Sequence, residues 1–349
     1  IGSSAFSGCK KLKSINIPKT IAQIESNTFY GCSDMSNVIF NENSKTGFKQ
    51  TIGYCAFYGC SGLETLNLTS NVTEIGEKAF SGCSGLETVH LPDNIKKIGK
   101  YAFENCSALT ELVLPSKLET IGYSIISGTE ITEITIPKTV KNCDSNGNYS
   151  YGSFIGADSI KTIKIEEGME TIPSSLCQGS SIENVEIPES VRDIGGSAFA
   201  GCTMLKSVSL PDGLETIGSS AFLGCKKLKS VNVPKSVSKI ESNAFNGCSG
   251  LSNVVFNENS KTGFKQTIGD WAFYGCSGLE TINLTLNVTE IGDRAFSGCS
   301  GLEAVHLPDN IKKIGKCAFE NCSALTELVL PSKLETIGYS IISGTEITE

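Results

Sequence analysis

Fifteen cysteines are the first residues of this chain with the means to do chemistry. So many thiols in 349 residues would suit a disulfide framework or a thiolate metal site. Their placement argues for neither. Eleven recur at one slot of a repeating unit: Cys9, Cys32, Cys60, Cys83, Cys106, Cys202, Cys225, Cys248, Cys276, Cys299 and Cys322. If the units stack, these thiols form a buried ladder, reduced and packed as small apolar groups. Adjacent rungs come within disulfide range, but parallel, in-register side chains rarely reach the torsion a disulfide needs. Cys55, Cys143, Cys177 and Cys317 fall outside the slot, and Cys143, beside an irregular stretch, is the thiol expected to be most exposed. No Cys-x-x-Cys pair occurs and histidines number two, so neither zinc nor any other cofactor is expected.

The two histidines, His90 and His306, occupy equivalent outward positions on short extended segments. Catalysis would need a nucleophile or carboxylate held beside them. The matching positions of neighbouring units are Asn67 and Val113, and Asn283 and Val329, which supply neither. The Gly-Cys and Ile-Gly pairs are turn punctuation and do not form a phosphate loop. No reactive cluster emerges, and the chain is read as non-enzymatic.

What must position these residues is a repeat. The string Ile-Gly-x-x-Ala-Phe-x-Gly-Cys-x-x-Leu-x-x-Val-x-Leu-Pro recurs, mostly at 23-residue steps such as Ile52 to Ile75 to Ile98. Two steps are 28 residues, Ile24 to Ile52 and Ile240 to Ile268, and the 51-residue gap from Ile121 to Ile172 hides a degenerate coil marked by Phe154. About fifteen coils of ~23 residues result, a period typical of leucine-rich repeats. Above this lies a second repetition: residues 1–133 match 217–349 at an offset of 216, so a block of nine coils is duplicated. The chain is read as a single array over residues 1–349, a fragment of a longer protein, with an irregular loop near 142–153. Its start, Ile1-Gly2-Ser3-Ser4-Ala5-Phe6, has neither the charged opening nor the apolar run of a signal peptide.

Within a unit such as Leu86-Glu87-Thr88-Val89-His90-Leu91, Val89 and Leu91 alternate with Thr88 and His90, giving a strand with one apolar and one polar face. Pro92 ends it, since proline cannot donate to the ladder. Ala102 and Phe103 follow Ile98 by four and five residues, a spacing that predicts one helical turn. The expected architecture is a leucine-rich-repeat solenoid with a parallel β-sheet and with short strands and helical turns elsewhere.

The unit Ile-Gly-x-x-Ala-Phe-x-Gly-Cys with Leu-x-x-Val-x-Leu-Pro resembles the BspA-like leucine-rich repeats, also called the Treponema pallidum type, over nearly the whole chain. The resemblance implies a curved, right-handed solenoid with its sheet on the concave face. It also implies a place on secreted or cell-surface proteins of host-associated microbes, and a role in adhesion. It brings no catalytic residues. Ile126-Ser127-Gly128-Thr129, where Phe and Cys are lost, and the 145–153 stretch depart from the pattern.

Candidate contacts are the outward strand positions Asn16, Asn67, Thr88, His90, Thr135, Lys164, Asn232, Asn283 and His306. Small polar groups with scattered apolar spots at Ile39, Val113, Val255 and Val329 suit a protein or glycan ligand, or an ordinary solvated sheet. The inserted loops 41–50 and 257–266 carry Phe48 and Phe264, which either contact a ligand or pin the loop to its coil. The stretch near 142–153 holds Tyr149 and Tyr151, a contact surface or a flexible interruption. The net charge of −8 disfavours nucleic acid, and no run is long and apolar enough to enter a membrane directly. The functional expectation is an extracellular interaction module. Its competitor is a passive spacer holding another domain away from the cell.

Overall fold

Apolar residues at fixed slots leave each coil with a face it cannot bury alone, and the neighbouring coils supply the cover. A computed structural model describes residues 1–144 and 152–347. The chain divides into two compact units, Ile1–Glu166 with Cys177–Ser181, and Glu167–Leu176 with Ile182–Glu349. Each is a β-solenoid of stacked coils whose paired strands run parallel.

Two rows of strands run along each unit. The row built on the Ile of Ile-Gly is the more regular. In the first unit it is a six-stranded sheet of Gln23–Ile24, Gln50–Ile52, Val72–Ile75, Lys97–Ile98, Thr120–Gly122 and Asn142–Asp144. Ile24, Ile52, Ile75, Ile98 and Ile121 lie in register, and Cys143 takes the next place opposite Ile121. That is why Cys143 is half-buried, with desolvation pushing its thiol up to about 11. The expectation that it is the most exposed thiol is therefore corrected: Cys9 is the exposed one. The second unit holds the equivalent eight-stranded sheet, from Thr171–Ile172 to Thr336–Ile337.

The front row, built on Leu-x-x-Val-x-Leu, is interrupted. The first unit pairs Ser14–Ile17 with Asn37–Phe40, Thr65–Asn67 with Thr88–His90, and Glu133–Ile136 with Thr162–Ile165. The second unit carries a four-stranded sheet of Ser230–Val233, Asn253–Phe256, Thr281–Asn283 and Ala304–His306. Thr110–Leu114 and its counterpart, residues 326–330, form no strand.

The expected helical turn is absent: among the described residues no helix occurs. In its place stands a corner in which alternate amides serve different partners. The N–H groups of Lys78, Phe80 and Gly82 donate to the next coil, to Lys100, Ala102 and Glu104, while those of Ala79, Ser81 and Cys83 close tight turns within their own coil. A helix is excluded because the third residue after each Ile is left-handed, as at Asn27 (φ 57°), Lys78 (φ 56°) and Tyr101 (φ 56°). Four residues later the chain turns left-handed again, usually at glycine, as at Gly82 (φ 74°). The glycine of Ile-Gly answers a different demand. A Cβ on Gly76 would meet the Gly53 carbonyl carbon at 2.7 Å, so this glycine lets backbones of successive coils touch.

Phenylalanine and cysteine fill the core. Phe6, Phe29, Phe57, Phe80 and Phe103 stack face to face with centroids 5.0–5.6 Å apart, as do Phe199, Phe222, Phe245, Phe273, Phe296 and Phe319 at 5.2–5.5 Å. All fifteen cysteines are free thiols. The ladder rungs do more than fill space, because most of the buried Sγ–H groups donate to the Phe carbonyl of the preceding coil. Cys60 reaches Phe29 at 3.2 Å, Cys83 reaches Phe57 at 3.2 Å and Cys299 reaches Phe273 at 3.2 Å.

Candidate functional site

The front strands place alternate residues outward, so side chains of successive coils line up in columns along each unit. One column runs Asn16, Ile39, Asn67, His90, Val113, Thr135 and Lys164, with Asn16 opposite Ile39, Asn67 opposite His90 and Thr135 opposite Lys164. All of these are exposed except Lys164, which is half-buried and ion-paired to Glu133 at 2.7 Å. Asn16 accepts a hydrogen bond from the side chain of Asn41, at the start of the inserted loop. In the second unit Asn232, Asn283 and His306 are exposed on the same kind of face, with Asn283 opposite His306.

Where the front ladder breaks at Thr110–Leu114, two clefts open. One, of 520 Å³, is lined by Glu87–Leu91 on one side and Thr110, Glu111 and Val113 on the other. The second, of 510 Å³, shares Thr110, Glu111 and Val113 and extends across Thr132–Thr135 to Pro137 and Glu166. Thr88 and His90 line the first cleft and Thr135 the adjoining one, while Asn16 and Asn67 lie on the same face outside both. The second unit repeats the first cleft as a 410 Å³ depression lined by Glu303–Leu307, Thr326, Glu327 and Val329.

Comparison along a single column hid the carboxylates. Glu87 and Glu111 stand in two different columns beside that of His90, yet both line its cleft. A column-by-column charge map would have revealed them. Among the described residues neither carboxylate has an ion-pair partner, and no hydrogen bond joins either of them to His90. Val113 adds an apolar contact, 67% exposed, and Val329 matches it at 66%. The arrangement offers charge, small hydroxyls and one apolar knob. It lacks the linked donor–acceptor chain of a catalytic constellation. No group of three or more potential ligands for a metal occurs among the described residues.

The inserted loops form a separate feature. Asn71, buried in the following coil, accepts from the Asn43 N–H at 2.6 Å and donates back to the Asn43 carbonyl at 3.1 Å. Asn287 and Asn259 repeat this clasp at 2.6 and 3.0 Å. Gln50, also buried, donates to the Ile21 carbonyl at 2.9 Å. Phe48 and Phe264 are half-buried. A 470 Å³ cleft sits between the first loop and the next coils, lined by Phe48, Lys45, Lys49 and Lys96 among others. Tyr149 and Tyr151 lie outside the described residues.

Set against known proteins, the chain matches a family model described as a BspA type leucine-rich repeat region, in six copies, over residues 1–50, 48–152, 170–266 and 250–349. No curated protein matches it. Among solved structures it is similar to a leucine-rich repeat protein from Bacteroides ovatus, at 30% identity and a TM-score of 0.72, covering 96% of this chain and 83% of that one. A leucine-rich repeat protein from Eubacterium ventriosum shares the fold at 24% identity and a TM-score of 0.52, covering 97% of this chain and 90% of that one.

Proposed function

The chain belongs to the BspA-type leucine-rich-repeat family, and from that premise we propose that it is a non-catalytic, extracellular interaction module that adheres to protein or glycan through its front face. The observation that carries this reading is the pair of adjoining clefts at Thr110–Leu114, which share Glu111 and the exposed Val113 and are lined by His90 and Thr88 in one and Thr135 in the other. Repeat solenoids commonly bind along the strand face, because rigid stacked coils hold many side chains in fixed relative positions. Exposed carboxylates and an apolar knob on such a support give a ligand both orientation and contact area. A passive spacer would need none of this.

The test is an array of host matrix proteins, microbial surface proteins and glycans probed with the intact chain. A paired variant, Val113→Glu with Val329→Glu, alters both depressions without touching the core. The expected result is at least one ligand whose signal falls in the variant while its circular dichroism is unchanged. Silence across the array overturns the reading and favours the spacer. A signal indifferent to the variant removes the front face from the account.

A further inference from the structure

The two depressions carry more information than their position. Among the described residues, Thr110, Glu111, Leu112, Val113 and Leu114 make no backbone–backbone hydrogen bond through either N–H or C=O, although strands lie in the coils on both sides. The equivalent Ser36 and Asn37 both donate to the Lys13 carbonyl, whereas Ser207–Leu210 in the second unit are as open as Thr110–Leu114. Peptide groups left open in this way must be met by water or by a ligand that offers donors and acceptors in alternation. Glu87 and Glu111 flank the same opening, both exposed and, among the described residues, without a cationic partner. Glu64 adds a third such carboxylate one coil earlier.

The internal duplication repeats the cleft. About twenty positions differ between residues 1–133 and 217–349, and several of the least conservative lie on the left-handed corner: Tyr54 against Asp270, Cys55 against Trp271, Tyr101 against Cys317. Residues 89–100 and 102–133 recur without any exchange, and most of the cleft lies within them. Glu87, Val89, His90, Leu91, Thr110, Glu111 and Val113 recur unchanged as Glu303, Val305, His306, Leu307, Thr326, Glu327 and Val329, with Thr88 against Ala304 the one exchange in its lining.

Building on the interaction-module reading, we propose that each chain holds two equivalent docking clefts, one per unit, and that each takes an extended, basic segment of a partner polypeptide. Lysine or arginine side chains of that segment meet Glu87 and Glu111 in the first unit and Glu303 and Glu327 in the second. An intervening apolar side chain packs on Val113 or Val329. The segment lies across the face of the cleft, and its peptide groups meet those that Thr110–Leu114 leaves open. A neutral glycan could satisfy the backbone but would leave the carboxylates without countercharge.

The probe is a capped nine-residue peptide alternating lysine and valine, titrated calorimetrically into the intact chain at low ionic strength, with a glutamate–valine peptide as control. Two lysine peptides are expected per chain, and the control should not bind. Glu87→Gln with Glu111→Gln should weaken one of the two sites by about two- to fivefold per carboxylate, and Glu303→Gln with Glu327→Gln the other. Raising the salt to physiological strength should weaken the wild-type sites toward the variant values. The substitutions are isosteric and exposed, so the fold is expected to survive, and circular dichroism verifies it. Equal binding of the acidic peptide, a stoichiometry other than two, or affinity unchanged in the fourfold variant overturns the proposal. No peptide binding alongside a retained array signal overturns this proposal alone; loss of both signals overturns the module reading as well.

Discussion

Replacing Cys299 tests whether the thiol ladder is a set of hydrogen-bond donors or only a column of filler. Cys299 is fully buried, its thiol pushed well up by desolvation, and its Sγ sits 3.2 Å from the Phe273 carbonyl. In Cys299→Ala the lost sulfur removes about 1 kcal/mol of apolar transfer energy. The small void adds about 0.5 kcal/mol, and the lost S–H···O contact about 0.5 kcal/mol more. A destabilisation of about 2 kcal/mol is expected. Cys299→Ser separates the two accounts. If the carbonyl is open to a donor, the serine hydroxyl uses it, and the variant should fall within about 1 kcal/mol of the alanine variant. If it is not, an unpaired buried hydroxyl makes serine worse than alanine by about 1–3 kcal/mol. Trp271, the one tryptophan of the chain, lies two residues before Phe273 with its ring 5.0 Å from the Arg294 guanidinium, so its fluorescence reports on this part of the second unit. Urea unfolding followed by that signal and by circular dichroism gives both midpoints; stacked repeats need not unfold all at once. A serine variant more than about 1.5 kcal/mol below the alanine variant would refute the donor role.

Alkaline pH should destabilise the fold through the same ladder. Burial raises Cys106 to about 12, whereas an unfolded thiol releases its proton near 9. Over that interval the native state binds more protons than the unfolded state, so stability is lost as pH rises, at up to about 1.4 kcal/mol per pH unit for such a thiol. Urea midpoints between pH 8 and 11 should fall, and Cys106→Ala should reduce the slope; an unchanged slope would place the effect elsewhere. At the inserted loop, Asn71→Ala removes both arms of the clasp on Asn43. Limited trypsin digestion should then cut at Lys45 or Lys49 markedly faster than in the parent, with the rest of the chain intact. Equal rates would assign the loop's order to Phe48 and Gln50 instead.

The stacking of the coils could be read from residue types because every apolar slot recurs in register, so a single assignment propagates along the whole array. The corner could not be read in the same way. Ala and Phe at the fourth and fifth residues after Ile fit a helical spacing, and only the backbone shows that Asn27, Lys78 and Tyr101 are left-handed. The recurrent glycine four residues later was the available signal, since a helix interior has no use for one there. Cys143 reads as a loop residue because the isoleucine it replaces is missing, although its place 22 residues after Ile121 fits the period. The outward positions were legible one column at a time. The depression was not, because it depends on the ladder opening at Thr110–Leu114 and on carboxylates contributed from neighbouring columns.

The 216-residue duplication has a genetic consequence. Each coil bonds only to its neighbours, so the junctions within one copy are the same kind as those within the other. Unequal crossing-over between the two stretches would delete or insert a whole block without creating a foreign seam in the stack. Every such event would carry a complete cleft with it. Valency in this lineage would then be set by recombination, one step at a time, while the contact chemistry stayed fixed.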